Sequence, residues 1–95
     1  MFFAINFLHS YRRKEKFVMN KNTEKKIGEN LRALRERKGL TQDEVAAKLQ
    51  LLGCDITRSA VAKIEVGQRH LYPDEIVLLK QILDVEYDEI FKTDK

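Results

Sequence analysis

The chain has 95 residues, 43% of them hydrophobic and 35% charged, with four Gly and one Pro, which suits one small helical domain and excludes a turn-rich β architecture. Its net charge of +3 is polarised: residues 1–26 hold seven Lys/Arg and two Asp/Glu, residues 27–73 eight and six, and residues 74–95 three and seven. That basic front suits an anionic partner such as nucleic acid or a membrane surface, although a solvated basic tail carries the same charge.

Residues 1–22 read as a poorly ordered N-terminal extension. "MFFAINFL" is apolar, "YRRKEK" is basic, and the polar "MNKNTEKK" begins at Met19 like a natural protein start, so the first eighteen residues are either an upstream extension or a misplaced start. The apolar stretch is too short to span a membrane, and its basic residues follow it, the wrong order for a signal peptide.

The helical domain is expected over residues 23–92. Thr23 is placed to cap a first helix over 24–38, in which Ile27, Leu31 and Leu34 form one apolar stripe and Gly39 follows Arg35, Arg37 and Lys38 as the stop. Thr41 and Glu44 make a capping box for a second helix over 42–52, with Leu40 and Val45 as a hydrophobic staple. Val45, Ala46 and Leu49 face inward, Leu52 continues the stripe, and Gly53 ends it. Thr57 caps a third helix over 58–66, whose Val61 and Ile64 turn Arg58, Ser59 and Lys63 to the opposite side. Pro73 opens a fourth helix over 73–83, with Asp74 and Glu75 in its first turn; Ile76, Leu79 and Leu83 face inward, and Val77, Leu78 and Ile82 broaden that face. A short fifth helix over 87–92 completes an all-α domain.

No catalytic constellation or glycine-rich phosphate loop is present, so no enzyme activity is expected. Cys54 has no disulfide or metal partner, which suits a reducing cytoplasm, and neither His9 nor His70 lies in a ligand cluster. No cofactor and no metal are therefore expected.

The runs "IGENLRALRERKGLTQDEVAAKL", "ITRSAVAKIEVGQR" and "LLKQILDVEYDEIF" resemble the Xre/Cro-type helix-turn-helix family. The resemblance covers residues 24–92 and implies a five-helix, lambda-repressor-like DNA-binding domain whose third helix enters the major groove. It implies base contacts from Arg58, Ser59 and Lys63. Arg58 has the fork geometry to grip guanine O6 and N7. It implies phosphate contacts from Gln42, Gln68 and Arg69, to which Thr41 and the N-terminus of the second helix add backbone N–H groups; His70 is a weaker candidate. It also implies a structural ion pair between Arg35 and Glu65. The chain departs from the family at "QLLGCDI", which either lengthens the second helix by a turn or makes the connection bulge.

The expected function is a sequence-specific transcriptional repressor acting on double-stranded DNA, as a homodimer on two half-sites. Val85, Tyr87, Ile90 and Phe91, or "MFFAINFL", are the candidate dimer surfaces. The alternative is an antitoxin or accessory regulator that binds a partner protein as well as DNA.

Overall fold

The computed structural model describes residues 21–93. Among them are five α-helices and no strand: α1 Lys21–Lys38, α2 Gln42–Leu51, α3 Arg58–Glu65, α4 Pro73–Leu83 and α5 Tyr87–Phe91. The expectations for the N-terminal extension fall almost wholly outside the described residues.

Helix α1 begins earlier than expected, so Thr23 lies inside it and is not its cap. Nothing in Lys21–Asn22–Thr23 breaks a helix, and Glu24 then falls in the first turn, where the helix dipole favours an acid. Leu31 and Leu34 are buried along the stripe. The helix ends at Gly39, whose φ of 79° only glycine adopts without strain, and Leu40 N donates to the Arg35 carbonyl at 3.1 Å.

Helix α2 is capped on both arms of its box. Glu44 N donates to Thr41 Oγ1 at 3.0 Å, and Thr41 N donates to Glu44 Oε1 at 2.7 Å. Val45, Ala46 and Leu49 are buried as expected. The helix stops at Leu51, however, and Leu52 stands on the surface rather than continuing the stripe. The cause is the turn at Gly53: Cys54 N donates back to the Leu49 carbonyl at 2.9 Å, and the next inward position is taken by Ile56, only 3% exposed. The extra residues thus form a bulged connection whose own isoleucine enters the core.

Thr57 Oγ1 accepts from Ala60 N at 3.1 Å and opens α3, which ends at Glu65 with Val66 as its cap. Helix α4 runs from Pro73 to Leu83 and is capped by Asp84, which holds a left-handed φ of 56°. Val77, expected to broaden the inner face of α4, is exposed. Val85 and Ile90 are buried in the common core, so they offer nothing to a partner, whereas Tyr87 and Phe91 stay at the surface. Asn30 Nδ2 donates to the carbonyls of Ile90, at 2.9 Å, and Lys92, at 2.7 Å, and so ties the end of α5 to α1.

The core is one cluster in which Leu31 and Leu34 of α1 meet Leu49 of α2, Val61 and Ile64 of α3, and Leu79 and Leu83 of α4. Each such side chain contributes about 1.5–3 kcal/mol by leaving water. This cluster holds α3 by its inner face and leaves its outer face to solvent.

Candidate nucleic-acid interface

The outer face of α3 carries Arg58, Ser59 and Lys63, all exposed. Arg58 is 64% exposed, and its nearest acid is Asp43 in the first turn of α2, at 3.9 Å. A pair this open contributes about 0–1 kcal/mol, so the guanidinium is free to exchange Asp43 for another acceptor. The same contact shows that the side chain of Arg58 reaches the first turn of α2. The N–H groups of the α2 first turn that its cap leaves unpaired therefore lie within reach of the Arg58 side chain.

The residues expected at phosphates divide into two groups. Thr41 and Gln68 are exposed; Gln68 is held in place by its backbone N–H, which donates to the Lys63 carbonyl at 2.8 Å. Gln42 and Arg69 are placed otherwise. Gln42 Nε2 donates to Glu65 Oε1 at 2.9 Å and is turned into the protein. Arg69 grips Glu75 with both terminal nitrogens, Nη1 to Oε1 and Nη2 to Oε2, each at 2.9 Å, and Nη1 also donates to the His70 carbonyl. Its guanidinium further lies 5.5 Å from the centre of the Tyr72 ring. A fork already satisfied by a carboxylate is a poor phosphate ligand, because a phosphate must first displace an equally good bidentate partner. His70 Nδ1 is engaged as well, 2.6 Å from Glu24 Oε2.

Arg35 and Glu65 are bonded, with Arg35 Nε donating to Oε2 at 2.6 Å and Nη2 to Oε1 at 3.0 Å. Arg35 Nη1 continues to the Leu40 carbonyl at 2.8 Å. The hydrogen bond that Arg35 donates to Glu65 raises the pKa of Arg35 above its ordinary value despite the opposing effect of burial. Glu65 is 5% exposed, and its carboxylate accepts from three donors on two other elements.

A second buried carboxylate, Glu75, is 6% exposed and was not legible as such in the sequence. Burial pushes its pKa up, but hydrogen bonds from Arg69 and from the Tyr72 backbone N–H outweigh this and hold it below the ordinary carboxylate value. The available signal was local: an acid three residues into a helix after "LYP" can accept from the backbone N–H before it. Gly28 was also missed. It is buried in α1, where a Cβ would stand 2.3 Å from the Ile64 carbonyl oxygen, so only glycine lets α1 reach the end of α3.

Among the described residues no group of His, Cys, Asp and Glu is placed to hold a metal ion, and no helix is long and apolar enough to cross a membrane.

Two short capped helices, the second buried on one face and cationic on the other within a five-helix core, define a helix-turn-helix module. The chain belongs to the Xre/Cro-type helix-turn-helix family of DNA-binding regulators, whose model matches residues 31–90. Two solved structures are similar to it. The restriction-modification controller protein C.AhdI from Aeromonas hydrophila is 35% identical with a TM-score of 0.66, over 75% of this chain and 96% of that one. The DNA-binding domain of BldD is 26% identical with a TM-score of 0.66, over 77% of this chain and 99% of that one. A comparison with curated proteins returns no match.

Proposed function

We propose that the protein is a transcriptional repressor that docks α3 in the major groove of double-stranded DNA and occludes a promoter, without enzymatic activity. Arg58, Ser59 and Lys63 read base edges, and Thr41, Gln68 and the free N–H groups at the start of α2 hold phosphates. The observation that carries this reading is the outer face of α3: its cations are exposed, and among the described residues the one ion pair of Arg58 is the open 3.9 Å contact with Asp43. The likeness to a restriction-modification controller protein and to a DNA-binding domain supports it. One such module covers few base pairs, so the operator is a two-fold site bound by two copies.

A selection from a random-sequence DNA pool at several salt concentrations tests the reading. Enrichment of a palindrome supports it; uniform binding that disappears with salt leaves phosphate attraction alone and removes it.

The second reading is an accessory regulator or antitoxin that also holds a partner protein. It is favoured by Leu51, 85% exposed, which lines a shallow hollow with Leu52, Ile82, Lys48 and Gln81 at the far end of α2 from Thr41. Co-purification of a partner that a Leu51→Ser variant loses, with DNA affinity intact, supports this second role.

A further inference from the structure

The bulged connection joins α2 and α3 through more residues than a tight turn, with Ile56 as its one buried anchor in the core. Residues 52–57 carry more rotatable bonds than a tight turn, and Gly53 sits at φ 91°. Two side-chain amides add polar ties between the helices to that apolar anchor. At the C-terminal end of α2, Gln50 Nε2 donates to the Ile56 carbonyl at 2.6 Å, just before the α3 cap. At the N-terminal end, Gln42 Nε2 donates to Glu65, the last residue of α3, at 2.9 Å. These bonds lie at opposite ends of both helices, and two separated ties fix an angle that one tie leaves free.

The Gln42 tie is the more consequential, because Glu65 is itself anchored. Its carboxylate is buried and held by Nε and Nη2 of Arg35, whose Nη1 holds the Leu40 carbonyl just ahead of the α2 cap. The start of α2 is therefore bonded to the end of α3 both through Gln42 and through Arg35. Moving either helix against the other breaks a hydrogen bond to a buried carboxylate, a group that is costly to leave under-satisfied.

We propose that Gln42 is a positioning residue for DNA reading. It acts through Glu65 rather than on a phosphate, and it sets which base edges Arg58, Ser59 and Lys63 reach. This rests on the DNA-binding reading above and assigns Gln42 a different part in it.

The test uses the full chain and the operator selected from the random pool. Affinity for that operator and for unrelated duplex is measured for the parent and for Gln42→Met, which keeps the length and loses the donor. The ratio of the two affinities should fall about tenfold or more, while affinity for unrelated duplex stays within about twofold. An equal fall in both affinities, leaving the ratio unchanged, marks a phosphate contact and overturns the proposal. A parent chain that selects no sequence overturns the DNA-binding reading and this one with it, and is recognisable by the flat selection. A measurement on the unaltered chain covers a variant that fails to fold. The Gln42 side-chain amide should show slow proton exchange in the free protein; rapid exchange there overturns the proposal.

Discussion

Arg69 and Glu75 face each other as a two-point ion pair, with both N–O distances 2.9 Å, at the junction between the loop after α3 and the start of α4. The family pattern offers this arginine to DNA, and the structure spends it on a buried carboxylate. Removing it should act on the fold. For Arg69→Ala we expect a loss of about 1–3 kcal/mol, less than for a fully buried pair because the arginine is itself partly solvated. The salt dependence of DNA binding should change by less than the ~0.9 in slope that one lost phosphate contact gives. Urea unfolding and a salt titration of binding measure the two effects separately.

The same pair makes stability sensitive to acid. The carboxyl of Glu75 is held below the ordinary carboxylate pKa of 4.5, so the folded state binds its proton less readily than the unfolded chain. Its contribution is complete above that ordinary value and is lost as pH falls through the lowered folded value. Urea midpoints measured from neutral to acid pH should therefore fall more steeply for the parent than for Glu75→Gln. Parallel curves would show that Glu75 does not carry this dependence.

At Gly28 the expectation is steric. A methyl group there collides with the backbone of Ile64 and Glu65, which has no flexible end to move aside. Gly28→Ala should destabilise by about 1–3 kcal/mol or more, despite the better helix propensity of alanine. Gly39→Ala is the control: nothing lies within 4 Å of its Cβ position, so its cost should be only the roughly 1 kcal/mol of a left-handed φ. Thermal unfolding of the two variants gives the ordering.

The buried carboxylate at the end of α3 gives a fourth stability test. Glu65→Ala leaves Arg35 and Gln42 without their acceptor, and we expect a loss of about 3–5 kcal/mol. A variant as stable as the parent would remove the claim that the Arg35–Glu65 pair supports the fold.

Substitutions on the outer face of α3 should show the converse behaviour. Arg58→Ala and Lys63→Ala should each leave stability within about 0.5 kcal/mol, since both side chains are exposed. Each should cost about 1–3 kcal/mol of discrimination between operator and altered sites. A loss of stability in place of a loss of discrimination would contradict the assignment.

The parts of this fold that were legible in the sequence are those in which a few neighbouring residues decide the outcome. Thr41 with Glu44, Thr57, and Pro73 with its following acids each announce a helix start within one turn. The parts that were not legible are set by residues distant in sequence. That Gly28 touches Ile64, that Gln42 turns inward to Glu65, and that Ile90 is core while Phe91 is not depend on how the helices cross. Glu75 illustrates the difficulty: an acid in a first turn reads as a solvated partner of the helix dipole, and only the folding back of Arg69 shows that it is buried. The Arg35–Glu65 bond was reached from family resemblance, since nothing in the spacing of those two residues points to it.

Ile56 makes the link between the two helices a wall of the domain rather than a tether. Its side chain is buried in the same core cluster as Leu49, Val61 and Leu79, so the link carries its own anchor. Loop length and loop anchorage thus become separate variables. A relative could add or remove polar residues around Gly53 at little thermodynamic cost, while one that lost the apolar residue would open a void at the heart of the molecule, however well its turn closed.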